Sequence, residues 1–454
     1  MLAVLVSWVD GENVALLTDL YELTMLHAYW REGMNDEAVF SLFVRKLPKE
    51  RNYLLACGLD DALEFLENLR FSRESLEYLE SLPYFSKEFL RWLADLRFRG
   101  SVYAVPEGTP VFGHEPLLEV EASLPEAQIA ESFLMNQVHF QTVAASKASR
   151  VVAAAEGRSV VDFGLRRMHG ADAGLKSARA FHIAGISATS NVLAGQVYGI
   201  PIAGTMAHSY IQAHDSELEA FRRFSELYPE TILLVDTYDT LAGVGNVVRL
   251  SKELGSGFRV RGIRLDSGDL GDLARRSRRL LDEAGLSQVT IFASGGLDEH
   301  EIARLVKEAP SIDGFGVGTK MGVSEDAPAL DMAYKITAYA GKGRLKLSSG
   351  KRILPGRKQI LRIEEKGEAI RDVLARHDES LPGRSLMRKV MEGGRKLSSH
   401  VTSLDAMREN ASRELARLPP RLRGLSEATP RYPVEVSEAL QRYQEEIASR
   451  VSRP

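Results

Sequence analysis

Two apolar runs in the middle of the chain stop at groups that can react. Ile200 to Ala203 gives way to Gly204-Thr205-Met206-Ala207-His208-Ser209, and Ile232 to Val235 delivers Asp236-Thr237-Tyr238-Asp239. A neutral imidazole held by a carboxylate can shuttle protons or attack a phosphoryl group, and a lone histidine can also be a satisfied packing residue. A zinc site built from His208, His214, Asp215 and Asp236 is the sharper rival. It is poorly served, because the chain has no His-x-His pair and the gap from His208 to His214 does not match the usual i, i+4 helical pair.

Other apolar runs end in the same way. Arg264 and Asp266 lie two apart on one run and so face one side. Asp266-Ser267-Gly268-Asp269 supplies carboxylates suited to ribose hydroxyls or to Mg²⁺ with retained waters, while a plain Arg264–Asp266 salt bridge is the bland alternative. Ser294-Gly295-Gly296 and Gly316-Val317-Gly318-Thr319 are small enough for backbone N–H groups to approach a phosphate closely. Asp162 and Arg166 could form another salt bridge, with Phe163 between them reading as core. Tyr21, in Thr18-Asp19-Leu20-Tyr21-Glu22, reads as a helix-packing aromatic.

The elements that must position these groups follow a regular pattern. Short β-rich runs (Ser159 to Phe163, Ile183 to Ser187, Ile200 to Gly204, Ile232 to Asp236, Val260 to Asp266, Val289 to Ser294, Ile312 to Val317) alternate with helical patterns. Their starts are roughly 17 to 32 residues apart, the spacing of β-α units around a parallel sheet. Seven such units suggest an irregular α/β barrel, in which functional groups gather at the C-terminal strand ends; a doubly wound open sheet is the alternative. Residues 11 to 100 read as largely helical. Val102 to Val105 and Val111-Phe112 read as two strands joined by a Pro/Gly turn, and the turn-rich Lys346 to Lys351 leads through Leu354-Pro355-Gly356 to a basic helical tail broken at Pro419-Pro420.

The bulk numbers bound the function. At 454 residues, 44% hydrophobic and 26% charged, the chain is long enough for two or three domains. A net charge of −4 argues against a dedicated nucleic-acid or membrane surface. The apolar opening Met1 to Val9 lacks a basic start and is followed by Asp10 and Glu12, so it does not read as a signal peptide, and no stretch approaches a membrane span. Cys57 is the only cysteine, which excludes internal disulfides and multi-cysteine zinc sites. A cytoplasmic protein is expected.

Taken together, Leu17 to Met25, Asp162-Phe163-Gly164-Leu165-Arg166-Arg167, Gly204 to Ser209, Arg264 to Asp269 and Leu354-Pro355-Gly356-Arg357-Lys358-Gln359 resemble a nicotinate phosphoribosyltransferase. The resemblance runs to about Arg362. It implies an irregular, TIM-like barrel joined to a smaller N-terminal α/β domain, with an expected partition of 1–125, 126–345 for the barrel, and a 346–454 extension packing back on the N-terminal domain. It also implies a homodimer that couples nicotinate to 5-phosphoribosyl 1-diphosphate for NAD salvage. By the same resemblance His208 takes a phosphoryl group from ATP and Asp236 orients it, although the chain has no Gly-x-x-x-x-Gly-Lys-Ser/Thr loop. Phe163 and the partner's copy of Tyr21 wall the nicotinate slot, Arg166 and Arg264 meet the carboxylate or diphosphate, and Thr205 lies beside the ring. Ser190 stands where nicotinamide enzymes carry an acidic residue. Asp266 is catalytic and holds ribose or Mg²⁺ on the diphosphate, with Ser267, Ser294, Gly295, Gly296, Gly316, Gly318 and Thr319 around the phosphoribosyl group. The chain departs from the family in Ala188, where glycine is usual, and in lacking the cysteine-rich knuckle of some relatives. Quinolinate or nicotinamide phosphoribosyltransferase, or a silent nucleotide-sensing barrel, are the alternatives.

Overall fold

The computed structural model describes residues 9–347, 353–399 and 402–451, and its described chain divides into two compact units. Ser348 to Lys351 of the turn-rich segment, and all but Val9 of the apolar opening, lie outside the described residues. One unit is Ala144–Pro328 with Arg423–Ser426; the other contains the chain up to Val143, Ala329–Leu422 and the chain from Glu427.

The Ala144–Pro328 unit is built on a parallel sheet. Its strands run in the order Ala188–Thr189, Ser159–Asp162, Gly314–Val317, Thr290–Ser294, Gly262–Leu265, Ile232–Leu234. The last strand in sequence pairs with the first, Val317 opposite Asp162, so the sheet curls back on itself. Beyond Thr189 a lone parallel bridge to Ile202 adds a seventh position. Among the described residues no ladder joins Ile202 to Ile232–Leu234, and there the barrel stays open. The strands are buried on both faces, as helix-covered parallel strands require: Ile263, Leu265, Ile291, Ala293, Phe315 and Val317 have no exposed surface. A buried triad braces this unit, with Glu299 accepting from Lys147 Nζ at 2.5 Å and Arg150 Nε at 2.8 Å.

Two expected strands are corrected. Ile183 to Ser187 is not a strand: the helix Ala171–Ala184 runs through Ile183 and ends on a left-handed Gly185, so the strand begins at Ala188. Ile183 is apolar because it is the buried face of that helix. Ile200 to Gly204 contributes only the bridge at Ile202.

The other unit is mainly antiparallel. A seven-stranded sheet places Glu37–Val44 between Met332–Tyr339 and Pro116–Ser123, followed by Ser101–Ala104 and Arg388–Glu392. Glu37–Val44 lies inside the stretch expected to be largely helical; seven of its eight residues are buried, which erases the alternation that marks a strand. Ser101–Ala104 pairs with Pro116–Ser123, and Pro110–Val111 with Leu54–Leu55, so the two expected strands do not form a hairpin with each other. The expected helical tail begins instead as strands, Lys358–Glu365 and Glu368–Arg376, before the helices Leu404–Ala416 and Glu438–Val451. Its buried Arg362, chelated by Asp372 at 2.6 and 3.0 Å, hides the β pattern behind a charged side chain.

Near the start of this unit the helix Leu20–Glu32 carries Glu22, fully buried, with Oε2 accepting from Gln128 Nε2 at 2.7 Å. Its Oε1 has no hydrogen-bond partner among the described residues. Burial, reinforced by Glu131 and Asp19, pushes its pKa up to about 7. The protonated form therefore stabilises the fold below about pH 4.5, and this contribution is lost as pH rises through about 7. Glu22→Gln removes the titration, so melting curves should show wild type losing stability relative to the variant between pH 5 and pH 8; parallel curves would refute this.

Candidate functional site

The expected site residues converge on one cavity of about 710 Å³ in the Ala144–Pro328 unit, at the C-terminal ends of its strands. Of those expected, Phe163, Arg166, Ser190, Thr205, His208, Arg264, Asp266, Ser294, Gly295, Gly296, Gly316, Gly318 and Thr319 line it. Tyr21, Asp236 and Ser267 do not. Tyr21 belongs to the other unit, where it is 48% exposed.

Three strand ends are tied together laterally. Asp236 Oδ2 accepts from the Asp266 N–H at 3.0 Å and from Ser267 Oγ at 2.6 Å, and Ser294 Oγ donates to Asp266 Oδ1 at 2.5 Å. Asp236 thus holds the backbone that presents Asp266. His208, at the first position of the helix His208–Gln212, has Nδ1 3.1 Å from Thr237 Oγ1 and Nε2 3.9 Å from Asp266 Oδ2. In this structure the expected Asp236–His208 contact is replaced by the neighbouring threonine, because both Asp236 bonds run to the next strand. The other oxygen of Asp236 is buried without a partner among the described residues.

Arg264 faces the cavity as the alternation requires. Its Nη1 donates to Thr205 Oγ1 at 3.0 Å, Nη2 is 3.8 Å from Asp266 Oδ1, and its guanidinium lies 5.7 Å from the Phe163 ring centre. Burial lowers its pKa against the pull of Asp266 and Asp236, and its Nε has no partner among the described residues. An arginine so placed retains unused donors for an anion while its flat face borders an aromatic wall.

Asp162 is not bridged to Arg166. Its carboxylate accepts from the Gly164 N–H at 2.8 Å and from Thr189 Oγ1 at 2.7 Å, which shapes two cavity loops and leaves Arg166 to the cavity. Burial raises the Asp162 pKa, opposed by those two donors. Ser190 follows Thr189 and donates its N–H to the Asp162 carbonyl. Asn191 then caps the helix Val192–Tyr198, so the loop carrying Ala188 is fixed at both ends.

The glycines have separate reasons. At Gly295, φ is +96° and a Cβ would sit 1.9 Å from the Asp266 carbonyl oxygen. Gly316 lies within a strand, and a Cβ there would strike the Phe163 ring at 2.5 Å; its smallness admits the aromatic wall.

Sequence reasoning passed over Lys320, which follows Thr319 and also lines the cavity. Its Nζ lies 2.8 Å from Asp298 Oδ2, while Asp298 Oδ1 caps the helix Glu299–Glu308 by accepting from the Glu301 N–H at 2.8 Å. Lys320 next to a glycine turn was the available signal.

The nicotinate phosphoribosyltransferase N-terminal domain model matches residues 16–139, and the nicotinate phosphoribosyltransferase family model matches 158–362. Nicotinate phosphoribosyltransferase pncB2 of Mycobacterium tuberculosis is 55% identical over 426 residues, covering 94% of this chain and 92% of its own. The Bacillus subtilis nicotinate phosphoribosyltransferase is 40% identical, covering 87% and 83% respectively. The crystal structure of human nicotinic acid phosphoribosyltransferase superimposes with a TM-score of 0.85 at 29% identity, covering 95% of this chain and 100% of that one. The chain belongs to the nicotinate phosphoribosyltransferase family.

Gly295→Ala should lower unfolding free energy by about 2 kcal/mol, from positive-φ strain plus displacement of the Asp266 backbone. Gly296→Ala, at φ +66° with open space around its Cβ, should cost about 1 kcal/mol. Denaturant titration of both variants checks the order; equal losses would show that the Asp266 contact does not matter.

Proposed function

We propose that this chain joins nicotinate to 5-phosphoribosyl 1-diphosphate, giving nicotinate mononucleotide and diphosphate in NAD salvage, and that ATP hydrolysis is coupled to this through phosphorylation of His208. The observation that carries the reading is that one cavity gathers the Phe163–Arg264 wall, Asp266, His208 and both glycine turns.

In this reading the pyridine nitrogen attacks C1 of the phosphoribosyl group as diphosphate leaves. That nitrogen is unprotonated near neutral pH, so no strong base is needed and positioning supplies most of the rate. The ring packs against Phe163, and its carboxylate meets Arg264 and Arg166 as charge-assisted pairs. Ser190 places no carboxylate where it would repel the substrate acid. Gly295, Gly296, Gly318 and Thr319 cradle the 5-phosphate, with Lys320 supplying its nearest cation by leaving Asp298, which keeps its helix-cap bond. His208 accepts the phosphoryl group at Nε2 while Nδ1–H donates to Thr237, and ADP leaves.

Mg²⁺ fits this donor set as an ion carried by the diphosphate. Asp266 is the carboxylate that would hold it, and among the described residues no cluster of three or more His, Cys, Asp or Glu forms a protein-only metal cage. Bound there, Mg²⁺ would stabilise charge on the departing diphosphate. A homodimer, with the partner's copy of Tyr21 forming the second wall of the nicotinate slot, completes the proposal.

The test is mononucleotide formation from nicotinate, nicotinamide and quinolinate, with and without ATP. Turnover confined to nicotinate and accelerated by ATP is expected. His208→Ala should keep the ATP-independent rate and lose the acceleration; unchanged ATP coupling would sink the histidine assignment. Lys320→Met should raise KM for phosphoribosyl diphosphate roughly 10-fold, about 1.4 kcal/mol of one charge-assisted contact, with kcat little changed. An unaltered KM would return Lys320 to a structural role.

A further inference from the structure

Each glycine turn of the barrel cavity runs on into a charged residue. Ser294-Gly295-Gly296-Leu297 leads into Asp298, and Gly316 to Thr319 leads into Lys320. The two side chains meet, Lys320 Nζ donating to Asp298 Oδ2 at 2.8 Å, so one ion pair joins the segments that leave both turns. Lys320 lines the cavity and Asp298 does not. The lysine is therefore shared between a carboxylate outside the cavity and any anion that enters it.

The pair is arranged so that parting it costs little. It is partly exposed, the lysine side chain at 36% and the aspartate at 22%, and ion pairs of that kind contribute little in water. Asp298 also has other support. Burial works to raise its pKa, but Lys320, the Glu301 N–H and the charge of Lys147 outweigh burial and hold the carboxyl below its usual range. Two of those three stay when Lys320 leaves. The Glu301 N–H donates to Oδ1 at 2.8 Å as the cap of the helix Glu299–Glu308, and Lys147 is fixed by Glu299 Oε2 at 2.5 Å and Asp326 Oδ1 at 2.7 Å. On the other side, the hydrogen bond to Asp298 raises the Lys320 pKa against burial, and the carboxylates of Glu325 and Glu301 add to it, so the ammonium is charged whichever partner it has.

Resting on the proposed reaction, in which both turns cradle a 5-phosphate, we propose that Asp298 sets the affinity of that cradle. Its carboxylate holds Lys320 in place of the phosphate, gives the lysine up when substrate enters, and takes it back as the mononucleotide leaves. A phosphate wins the exchange because it is met by the backbone N–H groups of the turns as well as by the ammonium. The 5-phosphate is the same group in substrate and product, so its contact with Lys320 holds both alike and adds nothing to the chemical step. Uncontested, that contact would delay product release. A competing carboxylate within the chain weakens the hold on substrate and product by one factor.

The experiment is calorimetric titration of the full-length protein with ribose 5-phosphate, comparing wild type, Asp298→Asn, Lys320→Met and the double variant. Asparagine caps a helix as well as aspartate does, so Asp298→Asn removes the charge and keeps the cap; Asp298→Ser serves the same purpose if the asparagine variant does not fold. Asp298→Asn should tighten ribose 5-phosphate about fivefold, the scale of one partly exposed ion pair. Nicotinate mononucleotide should become a stronger product inhibitor by the same factor, and KM for phosphoribosyl diphosphate should fall without a rise in kcat. In the Lys320→Met background the Asp298 substitution should change nothing, which a merely structural role of Asp298 would not produce. Unchanged or weaker binding by Asp298→Asn while wild type binds would overturn the competition and leave the proposed reaction standing. Binding of ribose 5-phosphate by none of the four proteins would overturn the phosphate cradle itself, and the role of Asp298 with it.

Discussion

The carboxylate of Asp236 is the constraint on which the barrel's working rim depends. With one oxygen it receives both the backbone N–H of Asp266 and the hydroxyl of Ser267, and so joins the ends of two neighbouring strands just where the ladder between them has stopped. Asp266 in turn receives Ser294 from the next strand. Three strand ends therefore hold one another in register, and the turn at Gly295 is pressed against the Asp266 carbonyl closely enough to exclude any side chain. A charged acceptor buried beneath such a rim costs desolvation, and two strong donors offset it.

The same economy of parts recurs at Asp162, whose two donors come from the loops that carry Phe163 and Ser190. In both places a buried acid shapes backbone, while the side chains of Arg166, Arg264 and Asp266 face the cavity. Preorganisation of this kind suits a reaction in which charge separates and little proton transfer is required.

The barrel and its cavity were largely legible because parallel strands are apolar runs that end abruptly in functional groups. Thirteen of the sixteen expected site positions line one cavity for that reason. Local pattern could not say which side chain touches His208: Asp236 and Thr237 are adjacent, and the choice depends on the neighbouring strand's N–H. Lys320 was hidden by its ordinary appearance as a helix-start lysine, and its significance comes from Asp298, which is distant in sequence. The antiparallel unit was harder. Glu37–Val44 is buried on both faces and loses its alternation, while Arg362 places a charge in a core because Asp372 meets it there. Pairings such as Ser101–Ala104 with Arg388–Glu392 join segments that no sequence window contains.

The open seam between Ile202 and Ile232–Leu234 has a further consequence, for divergence within the fold. Elsewhere around the barrel, a one-residue slip of a strand against its neighbour would turn its side chains to the other face. At the seam no ladder among the described residues has to be kept, so the segment from Ala203 to Ala207 can lengthen, shorten or change its path while the strands on either side stay in place. That segment forms part of the cavity wall, whereas the glycine turns follow strands paired on both sides. Relatives of this chain can thus reshape that stretch of the cavity wall by editing the seam, and keep the glycine turns unchanged.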